Sequence, residues 1–156
     1  MRRNKIKQMW RDGKCVTLGW LSVSHGFTAE VMARQGFDAL CVDLQHGLAE
    51  MSDVGPMLQA ISQTDTVPVV RVGWNDPQAI MKALDLGAYA IIVPLVNNAE
   101  EAAAAVAACR YPRLKNKQLY EPAGIRGDGP TQAVRYWGLT QQEYYERADV
   151  WPLNPK

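Results

Sequence analysis

The stretch that decides the fold of this chain is Phe37-Asp38-Ala39-Leu40-Cys41-Val42-Asp43-Leu44-Gln45-His46-Gly47. An apolar run of strand length ends in a carboxylate, an amide and an imidazole, which belong to Asp43, Gln45 and His46. Polar side chains at the C-terminal ends of parallel strands form the functional sites of α/β proteins. The stretch therefore predicts a buried strand of a parallel sheet, with a site at its end.

On both sides of this stretch, apolar runs alternate with helical patterns. The four predicted strands are Cys15–Leu21, Phe37–Asp43, Val67–Val72 and Tyr89–Val93. Helices are predicted to follow them, three of them capped by Thr28, Asp76 and Asn98 and one that starts at Ser52. Such apolar strands are typical of a sheet that helices cover on both faces. We therefore predict an α/β fold, a partial TIM (β/α)8 barrel of about four βα units.

The alternation of strand patterns and helix patterns ends after Pro112. Residues 113–121 are polar and basic, which predicts an exposed loop, and residues 124–130 form a glycine-rich turn. Thr140 and Glu143 form a capping-box pattern that predicts a helix to about Ala148. Residues 150–156 contain two prolines, which do not suit a central strand. We predict one domain over residues 1–149 and a separate tail over residues 150–156.

Composition narrows the functional classes. The net charge is +1, so there is no electrostatic case for a nucleic-acid partner or an anionic membrane. No apolar run approaches the roughly 20 residues of a transmembrane helix. Cys15, Cys41 and Cys109 lack metal-ligand spacing and lie in apolar or alanine-rich runs, which predicts buried free thiols. These features favour a cytoplasmic protein.

From Trp10 to about Ala148 the chain resembles the HpcH/HpaI family of class II pyruvate aldolases. The resemblance rests on several motifs in the family's order and spacing. They include Val42-Asp43-Leu44-Gln45-His46-Gly47, Pro68-Val69-Val70-Arg71-Val72, Trp74-Asn75-Asp76-Pro77, Leu84-Asp85-Leu86-Gly87-Ala88 and Gly124-Ile125-Arg126-Gly127.

The resemblance implies an aldehyde-lyase that cleaves a 4-hydroxy-2-oxo acid to pyruvate and an aldehyde. A divalent metal (Mg²⁺, Mn²⁺ or Co²⁺) would hold the 2-oxo acid, which is the small-molecule partner, and would stabilise the enolate. By position, His46 would be the acid/base group and Asp85 its carboxylate partner. Arg71 would bind pyruvate, and Asp43 and Gln45 would lie near the metal-bound water.

The resemblance also implies that the family's two acidic metal ligands lie beyond Ala148, so we expect no metal ligand in this chain. A half barrel has two open sheet edges, which favours pairing with another chain and predicts a homo-oligomer. The alternative function is a non-catalytic truncated remnant, or an oligomer-forming fragment.

Four residues have two interpretations each at this stage. Arg71 binds substrate, or it is a structural ion-pair partner of Asp43 or Asp85. Asp85 pairs with His46, or it pairs locally near a helix end. Arg126 belongs to an anion-binding turn, or it is a solvated loop arginine. Trp20 lines the pocket, or it packs in the core.

Overall fold

Four parallel strands form one sheet in the order β1-β2-β3-β4. The computed structural model describes residues 4–113 and 121–148. The strands are β1 (Leu18–Leu21), β2 (Ala39–Asp43), β3 (Val67–Arg71) and β4 (Ala90–Ile92). The helices are α1 (Lys5–Arg11), α2 (Gly26–Ala33), α3 (Met51–Ile61), α4 (Pro77–Asp85), α5 (Ala99–Cys109), α6 (Thr131–Tyr136) and α7 (Gln141–Ala148).

The prediction of four parallel strands flanked by helices is confirmed. Alternate residues of β2 enter two different cores, because successive side chains of a strand point to opposite faces. Leu40 and Val42 pack with the helices α2 to α5, whereas Cys41 packs on the other face with Ile6 of α1. All of β2 is buried, so it is a central strand of the sheet.

Three predicted helix starts are confirmed by their capping contacts. The Asp76 side chain accepts hydrogen bonds from the second and third residues of α4, and Pro77 occupies the first position. The Asn98 side chain accepts from the Glu101 N–H at the start of α5. Thr140 and Glu143 bond reciprocally, each side chain to the other's N–H, before α7.

Two predicted helix starts are wrong. Helix α2 begins at Gly26 and its cap is His25 rather than Thr28, because the His25 Nδ1 atom accepts the Phe27 N–H. Helix α3 begins at Met51 rather than Ser52, with Glu50 and Asp53 forming a capping box.

The strands are shorter than their apolar runs. β1 begins at Leu18 rather than Cys15, and β2 begins at Ala39 rather than Phe37. The thiol prediction is wrong for Cys15, which is exposed, whereas Cys41 is buried and Cys109 is half-buried. Helix α6 was not predicted. Most of the predicted loop over residues 113–121 and all of the predicted tail lie outside the described residues.

No helix in the described ranges combines the length and the apolar character that crossing a membrane requires.

Replacing Gly87 with alanine is expected to destabilise the fold. Gly87 follows α4 with φ of +111°, and a Cβ atom there would lie 3.2 Å from the Tyr136 ring. An L-residue in this region costs about 1–2 kcal/mol. Gly127 is the matched control, since its φ lies outside that region and a Cβ atom would meet nothing within 4 Å. Equal urea midpoints for Gly87→Ala and Gly127→Ala would contradict this account of the turn.

Candidate functional site

The best-organised polar cluster lies at the C-terminal edge of the sheet. Asp43 is the last residue of β2 and Arg71 the last residue of β3, and the two are partners in the register of these strands. Arg71 donates from Nε to Oδ1 of Asp43 at 2.8 Å and from Nη2 to Oδ2 at 2.6 Å. The carboxylate therefore holds one edge of the guanidinium in a bidentate pair.

Three further donors converge on the same carboxylate. The Trp20 indole N–H, at the end of β1, donates to Oδ2 at 3.0 Å. The backbone N–H groups of Gln45 and His46 donate to Oδ1 at 2.9 and 3.3 Å. Asp43 thus ties together the ends of three strands and the turn that follows β2.

The electrostatic consequence is a carboxylate that stays ionised. Asp43 is 2% exposed, and burial alone would favour its neutral form. The hydrogen bonds from Arg71 outweigh burial, and those from Trp20, Gln45 and His46 add to them, so the pKa of Asp43 lies far below its ordinary value. The same contact with Asp43 raises the pKa of Arg71.

Arg71 is positioned on a second side by Trp20. The Arg71 Cζ atom lies 4.7 Å from the centroid of the indole ring, which is a cation–π contact. In the described part of the chain, Arg71 Nη1 has no hydrogen bond, and the side chain is 20% exposed. A fixed, charged donor group is therefore available at the edge of the sheet.

The turn after β2 is packed tightly against β1. A Cβ atom on Gly47 would collide with the Asp43 carbonyl oxygen and lie 3.3 Å from the Ser22 Cα atom. The Leu48 N–H donates to the Ser22 carbonyl at 2.8 Å. Only glycine fits this close approach, which fixes the backbone on both sides of His46.

His46 itself is exposed, and its imidazole has no hydrogen-bond partner among the described residues. Its backbone N–H is bound to Asp43, so the residue is held at the same edge as Arg71. Gln45 is half-buried beside it. The sequence-predicted residues Asp43, Gln45, His46 and Arg71 therefore lie together at this edge of the sheet.

Asp85 does not join this site within the chain. It is the last residue of α4, and its carboxylate accepts a hydrogen bond from Arg126 Nη2 at 2.7 Å. Helix α4 runs back from the end of β3 to the start of β4, so Asp85 lies toward the opposite edge of the sheet from Asp43. Neither Asp85 nor His46 bonds to the other in the described residues. The interpretation of Arg126 as a solvated loop arginine is wrong, because the residue is buried.

No group of three or more His, Cys, Asp or Glu side chains within residues 4–113 and 121–148 is arranged to hold a metal ion. The Asp43 carboxylate already accepts five hydrogen bonds, so it has little capacity left for a direct metal bond. This part of the chain therefore does not form a metal site by itself.

The acid stability of the protein should depend on Asp43. Because its pKa is lower in the folded state than the unfolded value of about 3.9, Asp43 stabilises the fold above that pH, and this contribution is lost as the pH falls toward the folded value. Asp43→Asn removes the titration. Urea unfolding should show a wild-type advantage that is constant above about pH 5 and narrows below about pH 4. An advantage that does not narrow would contradict the assignment.

Comparison with known proteins places this geometry in a family. The profile of the HpcH/HpaI aldolase/citrate lyase family matches residues 17–125. The chain is 39% identical over 134 residues to a hydroxypyruvate/pyruvate aldolase of Rhizorhabdus wittichii, covering 85% of this chain and 50% of the relative. It is 41% identical over 149 residues to a 4-hydroxy-2-oxo-heptane-1,7-dioate aldolase of Salmonella arizonae, covering 95% and 53%.

The fold agrees with the same comparison. A solved HpcH/HpaI aldolase/citrate lyase family protein from Burkholderia cenocepacia matches with a TM-score of 0.77 and 32% identity, over 94% of this chain and 56% of that chain. The chain spans about half the length of the curated relatives it matches. Its four strands are part of the family's barrel. The chain belongs to the HpcH/HpaI aldolase/citrate lyase family.

Proposed function

We propose that the C-terminal edge of the sheet binds a 2-oxo acid such as pyruvate, and that the protein cleaves a 4-hydroxy-2-oxo acid to pyruvate and an aldehyde. One observation carries the proposal. In a chain of an aldolase family, the Arg71 guanidinium is fixed by Asp43 and Trp20, and its Nη1 group has no partner in the described residues.

Arg71 suits the carboxylate of a 2-oxo acid for a geometric reason. The Asp43 carboxylate occupies the Nε and Nη2 edge, so Nη1 and the second hydrogen of Nη2 remain for the substrate. Asp43 offsets part of the positive charge, which weakens attraction at long range. Recognition then depends on the fixed fork of donors, which lysine could not reproduce.

His46 is proposed to move the proton. In retro-aldol cleavage the hydroxyl on C4 loses its proton as the C3–C4 bond breaks. The bonding electrons form the enolate of pyruvate, and C4 leaves as the aldehyde carbon. The enolate then takes a proton at C3. Histidine is a common general acid and base, and His46 is exposed in the turn after β2 with its backbone N–H held by Asp43.

The proposed roles leave Asp43 and Gln45 as positioning residues. Asp43 holds Arg71 and the His46 backbone, and the Gln45 backbone N–H donates to the same carboxylate. The interaction of His46 with Asp85 that the resemblance implies is not formed within one chain, where Asp85 contacts Arg126.

The family generally depends on a divalent metal. When bound, such an ion acts as a Lewis acid that stabilises an enolate. The described residues of this chain do not fit a metal ion on their own. Arg71 and His46 are proposed to act on the substrate carboxylate and hydroxyl, whichever groups hold the ion. Mg²⁺, Mn²⁺ and Co²⁺ are the candidate metals.

A second candidate function is a non-catalytic fragment that assembles into homo-oligomers. Two observations favour assembly. β1 and β4 are the edge strands of the described sheet, and such edges pair readily with other chains. Several large apolar side chains after the strand ends are also exposed, namely Phe27, Leu48, Trp74 and Leu95. Assembly is compatible with catalysis, so activity decides between the two candidates.

The deciding experiment measures pyruvate release from a 4-hydroxy-2-oxo acid by the purified 156-residue protein. Parallel samples contain added Mn²⁺ or Mg²⁺, a chelator, or the His46→Ala variant. Metal-dependent release that His46→Ala abolishes would support the aldolase. A folded sample that releases no pyruvate under any of these conditions would reject catalysis by this chain and favour the non-catalytic fragment.

A further inference from the structure

A cavity of about 460 Å³ lies near the N-terminal ends of the strands, away from the C-terminal ends that carry Asp43 and Arg71. Its walls come from α1, the ends of α4 and α5, the residues that precede β4, residues 110–113 and 122–126, and α6 and α7. Asp43 and Arg71 end their strands, whereas Ala88 and Tyr89 of the cavity wall precede β4. A five-residue strand spans about 13 Å between its first and last Cα atoms, so this cavity and the candidate active site are separate.

The cavity is lined by one sign of charge. Its basic lining residues are Lys7, Arg110, Arg113 and Arg126, and none of its described lining residues is acidic. Asp85 contacts Arg126 from outside the lining, and Arg110 and Arg113 have further interactions of their own. Basic residues in a concave wall favour anions over cations.

Arg126 is the most unusual member of the wall, because it is 7% exposed and incompletely bonded. Its Nη2 donates to Asp85 at 2.7 Å and to the Tyr144 hydroxyl at 3.3 Å. Its Nε is buried without a hydrogen-bond partner in the described residues, and Nη1 likewise has none there. A buried cation with unused donors is costly unless a ligand or water completes its bonds.

Four of the other lining residues are aromatic, namely Tyr89, Tyr111, Trp137 and Tyr144. The Tyr89 and Trp137 rings stack with their centroids 3.9 Å apart and their planes at 22°. The Tyr111 ring lies 4.4 Å from Arg126 Cζ, and its hydroxyl is 3.1 Å from the Tyr144 hydroxyl. The cavity thus combines flat apolar surfaces with a guanidinium, which suits a planar body that carries an anionic group.

We propose that this cavity binds a small organic carboxylate with a planar, apolar body, and that Arg126 is its anchor. The carboxylate accepts from Arg126 Nη1, the unused donor that is not fully buried, and the body lies against the aromatic residues. The site is separate from the 2-oxo acid site at Arg71, so it is a place for a second ligand rather than for the aldolase substrate.

Cys109 gives a local readout in the unmodified protein. It lines the cavity and is half-buried, whereas Cys15 is exposed elsewhere. Burial raises the pKa of the Cys109 thiol, so its alkylation is slow. A ligand bound in the cavity would slow this reaction further by covering the thiol. Benzoate is the probe, benzyl alcohol is its neutral counterpart, and inorganic phosphate is an anion without the planar body.

The experiment follows alkylation of each cysteine by mass spectrometry over time, with N-ethylmaleimide as the reagent. Benzoate is expected to slow labelling of Cys109 saturably and to leave Cys15 unchanged, with little effect from benzyl alcohol or phosphate. Equal protection by benzyl alcohol would mean that the cavity is merely apolar and would overturn the proposal. So would the absence of protection, or equal slowing at both cysteines.

Two variants distinguish binding by the Arg126 side chain from a general effect of substitution on folding. Arg126→Gln is expected to raise the benzoate concentration needed for half-maximal protection of Cys109 about tenfold or more, because it removes the charged donors. Arg71→Lys should leave the protection unchanged, since Arg71 lies at the other edge of the sheet. Thermal unfolding checks that both variants fold. Full protection in a folded Arg126→Gln, or its loss in Arg71→Lys, would contradict the assignment of the anchor.

Discussion

Replacing Arg71 with methionine is expected to weaken the binding of oxalate or pyruvate about a hundredfold. Methionine keeps much of the apolar length of the side chain but removes every donor. The substrate carboxylate then loses its charge-assisted hydrogen bonds, and the Asp43 carboxylate loses its bidentate partner. Isothermal titration calorimetry measures the affinity directly.

Two comparison variants make the Arg71 result specific. Arg34→Met removes an exposed arginine of similar size, whose contact is the i,i+4 pair with Glu30 on the surface, and should leave the affinity unchanged. Arg71→Lys keeps the charge without the planar fork and should give an intermediate loss. An Arg71→Met protein that folds and binds oxalate as tightly as wild type would reject the role of Arg71.

Replacing Leu58 with alanine is expected to destabilise the fold by about 2–5 kcal/mol. Leu58 is 1% exposed on α3 and belongs to the main core between the sheet and its helices. The substitution removes buried apolar surface and leaves a cavity that the neighbouring helices fill only in part. This loss is a large part of the total free energy of unfolding of a small domain, which is about 5–15 kcal/mol.

Leu48→Ala is the matched control for Leu58→Ala. Leu48 is 75% exposed in the turn after β2, so the same chemical change there should alter stability by no more than about 0.5 kcal/mol. Urea unfolding of the two variants measures the difference. A Leu58→Ala protein as stable as Leu48→Ala would mean that the helix layer does not cover the sheet as described.

Local chemistry explains which parts of the fold could be predicted. Asp76, Asn98 and Thr140 cap helices as expected. A cap is predictable because its side-chain oxygen accepts hydrogen bonds from backbone N–H groups only two or three residues later. Helix α6 was missed because its cap residue, Pro130, offers no side-chain hydrogen bond and the helix has only six residues. The capping role of His25 was missed because histidine is an uncommon cap.

The starts of β1 and β2 were predicted too close to the N-terminus for a different reason. Cys15 and Val16 continue the apolar pattern of β1, but the strand ladder begins only at Leu18. Hydrophobic patterns report burial, and a ladder also needs a paired neighbour. Val16 still packs on the core beside α1 without being part of the sheet.

The candidate site was predictable where it follows strand ends. Asp43 and Arg71 end neighbouring parallel strands, so their meeting follows from topology once the sheet order is known. The contact of Asp85 with Arg126 was not predictable, because it joins residues 41 apart in the chain and no local pattern indicates it. The link from Trp20 to Asp43 had only a weak sequence signal, an indole at a strand end.

The most direct test of the proposed 2-oxo acid site is a ¹⁵N NMR titration of the protein with pyruvate. Binding at Arg71 should give the largest shifts at the Gln45 and His46 amides and the Trp20 indole N–H, the three neutral donors to Asp43. Signals near the Arg126 cavity, such as the Trp137 indole N–H, should move little. Shifts confined to that cavity, or no shifts at saturating pyruvate, would contradict a 2-oxo acid site at Arg71.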